Sequence, residues 1–165
     1  MLVILGLLFL YIDVWMGGVD FFPDLFGYIL LFIAVFRGWQ YQKIYSSRIL
    51  LLSIAVAAVA VITGAERTSY LISIVLTLLT AIGQFLLVRS LYQAHKRLTG
   101  SKEKSEQDQL METALILILI CEICSPILSL VPVLPYILLG LESLVGILII
   151  VKMHRLLHFT KSLHS

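Results

Sequence analysis

Apolar runs of membrane-spanning length recur along almost the whole chain, and they restrict its folding more than any other feature. In hydrocarbon, each backbone N–H and C=O must be satisfied within the protein, which long apolar runs achieve as helices. A bilayer core about 30 Å thick takes roughly 17–25 helical residues. By that rule six spans are expected along the 165 residues, at about 2–19, 23–39, 49–63, 69–92, 111–131 and 135–153. The third is short unless it borrows its flanks. Composition agrees, with 60% hydrophobic residues, 13% charged and a mean hydropathy of +1.03, against roughly 25% charged in soluble domains. The expected fold is therefore all-α: one polytopic transmembrane domain, a bundle of six transmembrane helices. The longest polar stretch, residues 95–112, is too short for a core of its own. Three very short connections make sequence neighbours antiparallel neighbours in space.

Lys and Arg encode orientation. Eleven of the twelve fall in segments 37–48, 89–110 and the tail from 152, with Arg67 alone on the other side. By the positive-inside rule both termini are cytoplasmic, and the expected location is the cell membrane. The first span has no basic n-region and no small-x-small cleavage site, so it reads as a retained helix. A formal charge of +2 is too small to suggest nucleic acid.

Acidic residues in apolar surroundings carry what functional signal there is. Asp13, Asp20 and Asp24 sit in YIDVWMGGVDFFPDLFGYILL, with no Lys or Arg before Arg37. Pro23 and Asp24 read as a helix-opening pair, proline needing no donor and the carboxylate complementing the helix dipole. Asp20, next to Gly17-Gly18, reads as a loop residue. Asp13 lies about four residues inside the apolar limit of its span. Residues 11–33, with I-D followed by D-F-F-P-D-L-F-G-Y-I-L-L-F, resemble a segment of small uncharacterised polytopic membrane proteins of Gram-positive bacteria. There an Asp-apolar-Leu-Pro-Asp pattern precedes Gly-Tyr and an apolar helix; Phe22 stands here where Leu is usual. The resemblance covers about a seventh of the chain and implies no activity.

Glu122 and Glu142 are the sharper signal, because a carboxylate at such depth costs roughly 2.5–3.5 kcal/mol to insert. Glu122, Ser125 and Ser129 form one polar stripe at helical spacing. Pro126 lacks the N–H that would bond the Glu122 carbonyl, so a carboxylate and a freed carbonyl share one turn. Transporters hold cations or protons at oxygen clusters of this kind in broken helices. Counted outward from the V-P-V-L-P turn at 1.5 Å per residue, Glu122 and Glu142 differ in depth by about 3 Å. They can therefore face one cavity, and a shared buried carboxylate site suits a proton or a cation. The structural alternative is a pair that holds the bundle together through neighbouring Ser and Thr.

The fourth span repeats small and hydroxyl-bearing residues at Ser69, Ser73, Thr77 and Ala81, with Thr80 and Gln84 close by, and the third does so at Ser53, Ala57, Ala60 and Gly64. Both stripes suit close helix packing. Gln84 is the exception, since a mid-helix amide needs a partner. Cys121 and Cys124 have dithiol spacing, but the chain holds no second pair to pass electrons on, and they read as apolar fillers. His154 and His158 lack further ligands and read as part of an amphipathic helix at the cytoplasmic interface. No metal set and no cofactor motif is evident. W-Q-Y-Q-K-I-Y reads as an interface anchor and S-K-E-K-S-E-Q-D-Q as a solvated loop.

The candidate site is thus Glu122, Glu142, Asp13, Ser125, Ser129 and Gln84, on the outer half of the membrane. The leading expectation is transport or binding of a small cationic solute or proton. Six short helices with both termini inside also look like the substrate-binding components of energy-coupling-factor vitamin transporters, whose motifs are absent. The alternative is a non-catalytic partner, an assembly, immunity or sensor subunit docking another membrane protein or a second copy. An intramembrane enzyme ranks last, there being no His-Asp, Ser-His or metal-ligand constellation.

Overall fold

A computed structural model of the chain describes residues 1–12, 15–16, 19–20, 24–41, 43–65, 70–98, 106–128 and 133–162. Among these, six helices follow one another: α1 Leu2–Tyr11, α2 Asp24–Gln40, α3 Ser47–Ala65, α4 Tyr70–Leu98, α5 Glu106–Leu128 and α6 Leu134–Ser162. Each packs on its neighbour in sequence, α1 also packs on α6, and α4 reaches α6. The helices therefore close into a ring. Two helical stretches, Ile74–Leu98 and Tyr136–His158, are long and apolar enough to cross a membrane; Leu2–Tyr11, Leu25–Gln40 and Ser47–Ile62 are shorter apolar helices.

Where the apolar run predicts one helix over residues 2–19, α1 stops at Tyr11 and Ile12 is extended. Ten residues rise about 15 Å, half of a bilayer core. Beyond it Trp15–Met16 (β1) pairs antiparallel with Val19–Asp20 (β2). The dipeptide between them in the sequence is Gly17-Gly18, and Gly-Gly between two extended pairs is a hairpin signal that overrides continued apolarity. Asp20 thus belongs to a strand and not to a loop. Asp13 and Pro23 lie outside the described residues; Asp24 does open α2.

α4 and α6 run further at their C-terminal ends, and α5 begins earlier, than apolarity alone suggests. α5 begins at Glu106 and not at residue 111, and Asp108, which falls in the run read as a solvated loop, is buried. It accepts a hydrogen bond from Tyr92 Oη at 2.8 Å and pairs with Lys96 of α4. A second α4–α5 pair, Arg89 with Glu112, spans 3.2 Å. Partners on the neighbouring helix, absent from any local window, take Asp108 out of solvent, whereas the Arg89–Glu112 pair stays partly exposed. α6 carries His154 and His158 on the same continuous helix.

Glycines set two of the contacts that shape the interior. A Cβ on Gly6 of α1 would lie 2.8 Å from Leu31 Cγ, and one on Gly27 of α2 would lie 2.9 Å from the Gly6 carbonyl oxygen, so these backbones nearly touch. Gly146 of α6 lies against Tyr11, whose Cβ would collide with any side chain there. That approach holds the end of α1 against α6. Leu7, Leu31, Leu87, Leu91, Leu115 and Ile149 fill the interior between helices. The outer face is also apolar, with Leu51 66%, Ile137 61% and Leu144 68% exposed.

Candidate functional site

A cavity of about 230 Å³ opens between α1, α2, α4, α5 and α6, well above the roughly 10–15 Å³ that one water requires. Glu122 of α5 and Glu142 of α6 both line it, as do Gln84, Thr77 and Thr80 of α4. Tyr11 from the end of α1 and Tyr28 from α2 complete one wall, and Leu10 and Leu139 supply apolar surface. None of the described lining residues is Lys, Arg or His. The cavity therefore carries two carboxylates and no fixed positive charge among its described lining.

Helical spacing explains why these groups converge. Thr77, Thr80, Ala81 and Gln84 fall three to four residues apart, so one face of α4 presents two hydroxyls and an amide in successive turns. Glu142 and Ser143 come from α6, which Gly146 brings against Tyr11 one turn further on. Tyr28 Oη donates to Gln84 Oε1 at 2.7 Å, with both side chains buried. The Gln84 side chain also interacts with the Tyr11 hydroxyl, so the amide ties α1 and α2 to α4. Thr80 Oγ1 donates to the Leu76 carbonyl at 2.9 Å, so what it can offer the cavity is lone pairs. Both carboxylates lie within electrostatic reach of Tyr11.

Glu122, Glu142 and Gln84 are thus brought to one cavity. Asp13 and Ser129 lie outside the described residues. Ser125 is on α5, a turn beyond Glu122, with its side chain outside the description. α5 continues through Pro126 to Leu128, so the helix is not broken there; the loss is confined to the single hydrogen bond that proline cannot donate. Among the described residues no group of three or more His, Cys, Asp or Glu could hold a metal ion. Cys121 and Cys124 are free thiols, Cys121 buried.

Tyr11, Tyr28 and Ser143 are the polar lining residues that the sequence does not single out. The available signal is chemical: a tyrosine inside an apolar helix carries a hydroxyl that must find a partner. Which partner depends on how α1 and α2 sit against α4, and Tyr28 and Gln84 are 56 residues apart.

Chemically, the arrangement can hold a cation. It combines two acids, hydroxyl lone pairs and two aromatic rings, and rings of this kind attract cations through their faces. Compared with protein families, with curated proteins and with solved structures, the chain matches none.

Proposed function

We propose that this is a multi-pass membrane protein, with six helical segments in the bilayer and both termini cytoplasmic, whose acidic cavity binds a small cationic solute or protons from the outer side. The observation that carries the reading is the shared cavity of Glu122 and Glu142 without a basic residue among its described lining. Two half-buried carboxylates that share one cavity repel each other in a medium of lowered dielectric, and a bound cation or proton relieves that repulsion. The membrane reading is supported by the apolar outer face, since contiguous exposed apolar surface marks contact with lipid or protein. It is supported too by the alternation of Lys and Arg between connections.

The test is uptake and binding by the protein reconstituted in liposomes, using a trapped pH dye and labelled methylammonium and guanidinium ions. Glu122→Gln and Glu142→Gln are each expected to weaken the cation signal about tenfold or more, because a hydrogen bond to a charged group contributes roughly 1.5–3 kcal/mol. Full activity in both variants, with only thermal stability lowered, would make the glutamates structural. A subunit role would instead appear as stoichiometric co-isolation with another membrane protein in mild detergent.

A further inference from the structure

A second recess, of about 390 Å³, lies at the other end of the bundle from the acidic cavity's carboxylate rim, between the α2–α3 connection, the start of α3 and the end of α4. Lys43, Arg48 and Arg97 line it, joined by Ser46, Ser90 and Gln93, and its described lining includes no Asp or Glu. The described ion pairs use Arg89 and Lys96; Lys43, Arg48 and Arg97 have no acidic partner among the described residues. Three exposed cations from three elements thus line one space, and a positive potential without an acidic neighbour in the described lining favours an anion there.

The surroundings indicate which anion. Ile44, Ile49, Ala94 and Leu98 form the apolar part of the lining. Shortly before Lys43 in the sequence, at the end of α2, Trp39 is 41% and Tyr41 74% exposed, and exposed Trp and Tyr at a helix end mark the headgroup level of a membrane. A site that offers cations to a headgroup and apolar side chains to the first carbons of its chains fits an amphiphile better than a free ion. Basic pockets between membrane helices on the cytoplasmic side take anionic lipid headgroups.

We propose that this recess binds the phosphate of an anionic phospholipid. The Arg48 and Arg97 guanidiniums engage phosphate oxygens, for which their planar fork is shaped, and Lys43 adds a point charge. The proposal rests on the membrane reading above and is independent of the acidic cavity.

Its test uses the full chain purified in mild detergent, with phosphatidylglycerol, phosphatidylcholine and inorganic phosphate as probes, read by native mass spectrometry and by thermal shift. Phosphatidylglycerol is expected to remain bound and to raise the melting temperature, whereas phosphatidylcholine does neither. Arg48→Gln combined with Arg97→Gln should weaken lipid retention on the order of 25-fold, at about fivefold per cation. Arg37→Gln combined with Arg155→Gln removes the same charge from the same end away from the recess, and should leave retention unchanged. Equal losses in the two double variants, or equal retention of the two lipids, overturn the proposal. Displacement of phosphatidylglycerol by inorganic phosphate at comparable concentration assigns the site to free phosphate and also overturns it. Recovery of the chain in the soluble fraction without detergent would instead remove the membrane reading itself, a failure distinguishable from the others.

Discussion

Tyr45 and His95 illustrate how a single hydroxyl can secure a helix end. Tyr45 follows α2, His95 lies near the end of α4, both are buried, and Tyr45 Oη lies 2.5 Å from His95 Nε2 with the rings edge to face. Burial pushes the Tyr45 hydroxyl above its ordinary value of 10.0, so at neutral pH it keeps its proton and shares a hydrogen bond with the imidazole whose donor is set by the His95 tautomer. Tyr45→Phe leaves a buried ring nitrogen without its partner and should cost about 1–3 kcal/mol, seen as a lower melting temperature. Because burial favours the protonated phenol in the folded state, that stabilisation is complete below pH 10.0 and declines as pH rises beyond it. The gap in melting temperature between the protein and Tyr45→Phe should therefore narrow in alkaline buffer. A gap that stays constant to high pH would show that the hydroxyl is not held in its neutral form. At this scale legibility depended on contrast. Glu122, Glu142 and Gln84 stand out because charge and amide are rare in apolar helices, and counting from a tight turn puts the two glutamates at similar depth. Tyr11 and Tyr28 pass as apolar in the same reading and Tyr45 as part of an interface anchor, although it is buried; their hydroxyls acquire meaning only from helices distant in sequence.

The contact between α4 and α5 shows how much an element owes to partners outside its own window. Read alone, S-K-E-K-S-E-Q-D-Q is polar and loop-like, yet it contains Ser105-Glu106-Gln107-Asp108, a Ser-x-x-Asp start of the capping-box type ahead of an apolar run. α5 begins at Glu106, where acidic residues suit the positive end of the helix dipole. The local signal was therefore present, and overall polarity masked it; Gly17-Gly18 after α1 was masked in the opposite way, by apolarity. The two α4–α5 ion pairs should differ in worth. Side chains of Arg89 and Glu112 are 43% and 35% exposed, those of Lys96 and Asp108 only 21% and 8%. Water screens the first pair to about 1 kcal/mol or less. Asp108 also accepts from Tyr92, so Asp108→Ala removes both contacts from a buried place and should cost roughly 1–3 kcal/mol. Thermal unfolding in detergent should thus separate Asp108→Ala from Glu112→Ala by several degrees. Equal effects would mean that the first turn of α5 is solvated after all.

At the scale of the whole molecule, antiparallel neighbours were legible because short connections leave little choice, whereas the closure of α1 onto α6 was not, since it joins the two ends of the chain. That closure brings Tyr11 to the Glu122 and Glu142 cavity, so the ring and the candidate site have one origin. Orientation rests on different physics, the difficulty of moving Lys and Arg across the bilayer. Segments 37–48 and 89–110 and the tail hold eleven of twelve basic residues, and the proposed phosphate-binding recess draws Lys43, Arg48 and Arg97 from the first two. If these segments face the cytoplasm, single cysteines introduced at Ser101 and Ser165, in a Cys121→Ser, Cys124→Ser background, should resist a membrane-impermeant maleimide in intact cells and react after permeabilisation. Cysteines at Asp20 and Glu66 should react in intact cells. The pattern tests more than orientation: one helix fewer in the bilayer places some of the four positions on unexpected sides, whereas inverted insertion exchanges all four. In the inverted case the acidic cavity's rim would face the cytoplasm, and its cation would have to be sought there.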